Sequence, residues 1–169
     1  MIPYVRDIEF EYGRCDQVSP LIRRVIARNP GPFTFVGTGT YIVGRGEVAV
    51  IDPGPDLDEH LDAILAALEP GERVTHILIT HHHSDHSPLA RALKARTGAP
   101  VYGCAPAAVA EESTIRTEAG ADLGFDPDVS LCGGGQVLSG PGWTQEAEAP
   151  PGHTTNHNSF AQREEHAIY

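Results

Sequence analysis

Long apolar runs are missing from these 169 residues. Nothing approaches the twenty or so consecutive apolar residues of a membrane span. The first residues, MIPYVRDIEFEYGR, carry Arg6, Asp7, Glu9 and Glu11 and lack the apolar stretch of a signal peptide. Basic residues are few, 12 against 23 acidic, for a net charge of −11. That balance repels phosphate backbones and argues against a general nucleic-acid binder. Cysteine is scarce and odd in number: Cys15, Cys104 and Cys132, none in a CxxC pair. No disulfide framework is expected; three reduced, mostly buried thiols and a cytoplasmic location fit best. Disorder is excluded in turn, because hydrophobic residues make up 40%. The length suits one domain over residues 1–169 with a sizeable core.

Histidine is concentrated. Residues 77–87 read ILITHHHSDHS, with four imidazoles and a carboxylate in six positions. The preceding VTHILIT is a short, β-branched, nearly continuous apolar run, predicting a buried strand ending near Thr80. On a helix, positions two apart point about 200° away from one another. On extended chain they point the same way. His81 and His83 can therefore converge from a loop after the strand. Asp85 and His86 sit a little further on, near the start of the next helix. Imidazoles and a carboxylate suit zinc, with iron or manganese as lesser alternatives. Two directions of aim point to two ions roughly 3.5–4 Å apart. His82 alternates away and is not expected to bind.

One ion needs a third protein ligand, since catalytic zinc sites usually hold three and leave one position open. His153 in PPGHTTNHNSF is the best candidate; His157, four residues on, reads as a supporting or surface residue. Asp52 ends the apolar VAVIDPG. It reads either as a carboxylate that orients a metal-binding histidine from behind or as a turn-forming Asp before Pro-Gly. His60, His76 and His166 read as packing or surface residues, and Trp143 and the Phe33/Phe35 pair as core.

Elements are predicted in the order hairpin (Tyr41–Val43 with Val48–Ile51), helix, strand, helix, strand, helix, strands. Leu57, Leu61, Ile64, Leu65 and Leu68 keep helical spacing, and Pro70-Gly71 stops that helix. SPLARALKARTGAP predicts a second helix, PVYG a strand, and APAAVAEESTIRTEAG a third helix. DPDVSLCGGGQVLSGPG reads as turns, while WTQEAEA, HNSFAQ and AIY read as strands. This order fits an α/β or α+β layered architecture. The chain ends at HAIY, inside an apparently apolar strand, so it is expected to be a piece of a longer one.

Together these residues resemble the metallo-β-lactamase superfamily of metal-dependent hydrolases. HHHSDH fits its HxHxDH signature, PGHT its downstream histidine motif and VAVIDPG its strand-terminal Asp motif. NPGPFTFVGTGTYIVG is similar to the start of one branch, the lactamase-B-like hydrolases that include a mitochondrial endoribonuclease. The resemblance implies an αββα sandwich, here its N-terminal portion, with the site at one edge between the sheets. It implies that His81, His83 and His153 hold a first zinc and that Asp85 and His86 bind a second. A bridging hydroxide would be the nucleophile, and Asp85 would be catalytic, orienting it and passing protons. It also implies a later bridging Asp and a final His, which do not occur before Tyr169. Gly39 stands where Asn is expected, and Pro-Pro precedes Gly152 where Thr-Pro is expected.

The implied reaction is hydrolysis of an ester, thioester, amide or phosphodiester, with a small-molecule substrate favoured over RNA by the acidic surface. The alternatives are a catalytically silent metal-binding fragment and an interaction module without metal. No membrane partner is expected. A second copy of the chain, or a further C-terminal portion, is expected to cover the open sheet edge.

Overall fold

The computed structural model describes residues 9–106, 120–149 and 157–169. Strands β1 (Cys15–Ser19), β2 (Ile22–Ile26), β3 (Gly39–Val43) and β4 (Glu47–Ile51) form an antiparallel meander. Three parallel strands extend it: β5 (Arg73–Leu78), β6 (Val101–Gly103) and β7 (Val129–Ser130). The sheet order is sequential, β1 to β7. Helix α1 (Asp58–Ala66) crosses from β4 to β5, and α2 (Ala90–Thr97) from β5 to β6. A second sheet has the order β11-β10-β9-β8, built from β8 (Gln136–Gly140), β9 (Trp143–Glu148), β10 (Ser159–Gln162) and β11 (Ala167–Ile168).

Side-chain alternation sorts the first sheet into two faces. Val48 and Val50 of β4, with Ile77 and Ile79, pack on Leu61, Ile64, Leu89 and Leu93 from the helices. Ala49 and Ile51, with Leu78, pack on Trp143, Ala147 and Phe160 of the second sheet. The continuous apolar run of β5 is thus explained by burial on both faces. The described residues form three layers, helices on one sheet on another, as the N-terminal portion of an αββα sandwich requires.

The predicted hairpin pairs Tyr41 with Ile51, Ile42 with Val50 and Val43 with Ala49. Helix α1 lies within its predicted span, with Asp58 and Glu59 in the first turn, where negative charge favours the helix dipole. Gly98 closes α2 in the left-handed conformation, which glycine adopts without steric cost. The helix predicted over APAAVAEESTIRTEAG falls mostly on residues 107–119, outside the described residues.

Three expectations are corrected and two strands are added. Residues 126–142 are not turns alone: Gln136–Gly140 is a full strand, its alternation hidden by the surrounding glycines. Strands β1 and β2 gave no signal, because CDQVS and IRRVI mix charges into their apolar pattern. Phe33 and Phe35 are 68% and 55% exposed, on the loop before β3, not in the core. Cys104 and Cys132 are joined in a disulfide, so among the cysteines only Cys15 is a free thiol. Their separation of 28 residues concealed that β6 and β7 are neighbours in register, Gly103 opposite Ser130, so both cysteines follow the same sheet end.

Candidate metal centre

The site lies at the C-terminal ends of the parallel pair β4 and β5, where both strands release their chains into loops. Asp52 follows β4 directly and takes a left-handed backbone, φ 47°, which is uncommon outside glycine and tolerated best by Asp and Asn. Its backbone N–H donates to Leu78 O at 2.9 Å, and its carboxylate turns toward the loop after β5. There Oδ1 accepts from Thr80 N–H at 2.9 Å, and Oδ2 accepts from Thr80 Oγ1 at 2.7 Å and from His86 Nδ1 at 2.9 Å. One carboxylate thus ties the start of the histidine loop to its end. The loops also meet through their backbones: Gly54 N–H donates to His86 O at 2.9 Å, and Leu89 N–H to Gly54 O at 3.1 Å.

These bonds fix the His81 tautomer and the direction of the His86 ring. Thr80 Oγ1 has one hydrogen, and the Asp52 carboxylate can only accept. The 3.0 Å contact between Thr80 Oγ1 and His81 Nδ1 is therefore donated by His81, which leaves the lone pair on Nε2. His86 donates from Nδ1 to Asp52, and its Nε2 lies 3.4 Å from Asp85 Oδ2. The imidazoles cluster: His81 is 4.1 Å from His86, 4.6 Å from His83 and 5.2 Å from His157, centroid to centroid.

Burial pushes the His81 pKa down to about 3, helped by the neighbouring charge of His86. The ring is neutral at any ordinary pH. Burial also opposes charge on His86, but Asp52 and then Asp85 outweigh it and raise its pKa to about 10. Asp85 loses solvation, yet its bond to His86 keeps its pKa below the usual carboxylate value. His86 thus lies between two carboxylates, Asp52 and Asp85, that favour its charged form.

Among the sequence-derived candidates, the fold brings together Asp52, His81, His83, Asp85 and His86. His153 lies outside the described residues, and among the described residues no three His, Cys, Asp or Glu side chains converge closely enough to hold a metal ion. The donor set nonetheless suits one: neutral imidazole and carboxylate are the usual zinc donors. Asp85 Oδ1, moreover, is buried without a hydrogen-bond partner among the described residues. A buried carboxylate oxygen in that state is costly unless a cation or water satisfies it.

Three residues near the cluster make contacts that the sequence does not specify. Thr80 is an unremarkable strand-end threonine in sequence, yet it bonds both Asp52 and His81. His157, set aside as a supporting or surface residue, brings its ring beside His81; its place shortly after GHT was the available signal. His60 is 3% exposed, and Thr40 links it to Asp52. Thr40 Oγ1 donates to Asp52 O at 2.7 Å, so its 2.8 Å contact with His60 Nε2 must be donated by His60. His76 packs between rings, 5.0 Å from Tyr102 and 5.3 Å from Trp143.

Comparison with known proteins agrees with this architecture. A beta-lactamase domain protein from Burkholderia ambifaria superposes with a TM-score of 0.70 at 19% identity, over 96% of this chain and 57% of that one, a likeness of fold. In sequence, the chain is 32% identical to an atrochrysone carboxyl ACP thioesterase of Cryptosporiopsis sp. (strain 8999), over 99% of its own length and 46% of the relative's. It is 36% identical to a thioesterase of the same description from Aspergillus fumigatus, over 91% of its length and 45% of the relative's. The chain thus spans about half the length of these relatives. The family model of the metallo-beta-lactamase superfamily matches residues 34–169, which takes in the histidine loop, the second sheet and the first sheet from β3 onward: the chain belongs to the metallo-beta-lactamase superfamily.

Proposed function

We propose that this chain carries the metal-binding half of a zinc-dependent hydrolase acting on an activated acyl bond, a thioester before an ester or amide. The observation that carries the reading is the arrangement around Asp52. It holds His86 by Nδ1 and, through Thr80, positions His81, while Asp85 keeps a buried oxygen without a hydrogen-bond partner among the described residues. His81, His83 and His153 would hold a first zinc, and Asp85 and His86 a second; iron or manganese are the lesser alternatives. When bound, zinc lowers the pKa of water toward neutrality and polarises a carbonyl oxygen.

The chain's own residues supply orientation and proton handling. Asp52 fixes the His86 ring plane, and Thr80 fixes the His81 tautomer. Asp85, paired with His86 at 3.4 Å, would orient a water and take its proton. The thioester preference rests on two relatives named as acyl-carrier-protein thioesterases. The net charge of −11 favours a small acyl substrate over RNA.

A second reading, a chain that binds metal without turnover, is supported by its spanning only about half the length of its relatives. In the first reading a second copy of the chain, or further C-terminal chain, would cover the exposed edge at Ile168.

The test is to load the chain with zinc, count ions by elemental analysis, and follow thiol release from an acyl N-acetylcysteamine thioester. Two ions with turnover are expected; one ion without turnover selects the second reading. His83→Ala should lose the first ion, and unchanged metal content in that variant would show the ligand assignment to be wrong.

A further inference from the structure

The histidine loop is held from outside as well as from behind. Residues 120–125 run beside it. Ala121 forms an isolated antiparallel bridge with His83. Ser84 N–H donates to Gly120 O at 2.9 Å, and Asp122 N–H to His82 O at 2.7 Å. The two bonds bracket His83, fixing the peptide on each side of it.

The polar anchor of this strap is one residue. The Asp122 carboxylate accepts from Ser87 Oγ at 3.0 Å, from Gly124 N–H at 3.2 Å and from Arg91 Nη1 at 3.0 Å. Ser87 is fully buried at the start of the α2 region, so its hydroxyl needs that acceptor; its other contact, His83 O at 3.4 Å, is long. Arg91 is exposed, and its ion pair contributes little. Beyond Asp122, Phe125 enters the helix-side core and packs against Gly103, an apolar anchor three residues on. Gly120, Ala121, Leu123 and Gly124 are exposed and add little packing.

We propose that Asp122 is a positioning residue for the metal centre: it docks the strap that sets the backbone, and hence the ring direction, of His83. The inference rests on the reading of His83 as a metal ligand. Partners that orient ligands from behind typically govern metal affinity by about 10–100-fold, and Asp122 acts through two backbone bonds, so the low end applies.

The test compares the full chain with Asp122→Ala and Asp122→Asn. Two quantities are read: zinc affinity by competition with a chromogenic chelator, and amide exchange of Ser84, which is exposed and protected chiefly by its bond to Gly120. Asp122→Ala should quicken Ser84 exchange and weaken zinc about tenfold, and alter the visible spectrum of the cobalt-loaded chain. Asp122→Asn keeps an oxygen for Gly124, and its amide can donate to Ser87 Oγ while the Ser87 hydroxyl donates to His83 O, so it should restore both values to within about threefold. If Ser84 exchange in Asp122→Ala is unchanged, or quickens while zinc affinity stays within about twofold, the positioning role is overturned. If the parent chain takes up no zinc, the metal reading itself falls and the role with it. Should Asp122→Ala not fold, Ser87→Ala removes the same link from the other side by deleting one atom. The same two changes are then expected, and unchanged values overturn the role.

Discussion

Asp52 makes more of the site than any other residue. Its carboxylate binds Thr80 twice and His86 once, from a left-handed backbone. Asn tolerates that backbone and keeps an acceptor for Thr80 N–H, but removes the negative charge facing His86. Asp52→Asn should therefore fold and bind zinc about 10–100-fold more weakly, as read by chelator competition; parent-like affinity would remove Asp52 from the site. His60 yields a separate pH prediction. Burial lowers its pKa to about 4, whereas in the unfolded chain it titrates near 6.5. Above pH 6.5 both states are neutral and its contribution is fully present. As pH falls from 6.5 to 4 only the unfolded chain takes the proton, so stability drops, by up to about 3 kcal/mol. Urea titrations at pH 7 and pH 5 should lose less stability between the two pH values in His60→Gln than in the parent. An equal loss would mean that His60 does not titrate in this window.

Among the elements, the contact between the β3–β4 turn and β9 joins the sheets. Trp143, 1% exposed, donates from Nε1 to Glu47 O at 2.8 Å and lies against Gly44. A Cβ at Gly44 would stand 2.2 Å from Trp143 Cδ1, and φ there is +97°. Gly44→Ala must therefore shift the indole and strain the turn together. A loss of about 2–4 kcal/mol in urea unfolding is expected; a loss below about 0.5 kcal/mol would mean that the sheets do not rely on this contact. The helices were legible because Leu57, Leu61, Ile64 and Leu68 repeat at helical spacing beside clear stop signals. Strand β8 and the pair β1–β2 were not, because exposed faces and glycine turns dilute a period of two.

For the molecule as a whole, the Cys104–Cys132 disulfide closes a loop of 28 residues at the sheet end nearest the site. Reducing it, with Cys104→Ser/Cys132→Ser as a check, should cost about 2–4 kcal/mol on the loop-entropy account; an unchanged melting temperature would show that the bridge adds no constraint. No helix among the described residues is long and apolar enough to cross a membrane. The sequence by itself determined the layered fold class and the histidine loop. Both are written in local periods: alternation for strands, 3.6 for helices, and two-residue spacing for the neighbouring rings of His81 and His83. The tertiary structure alone decided what depends on distant segments meeting. Examples are Asp52 reaching His86 across 34 positions, Cys104 finding Cys132, and Asp122 docking on Ser87 across 35. Strand order and register set those meetings, and neither is encoded in the spacing of any one motif.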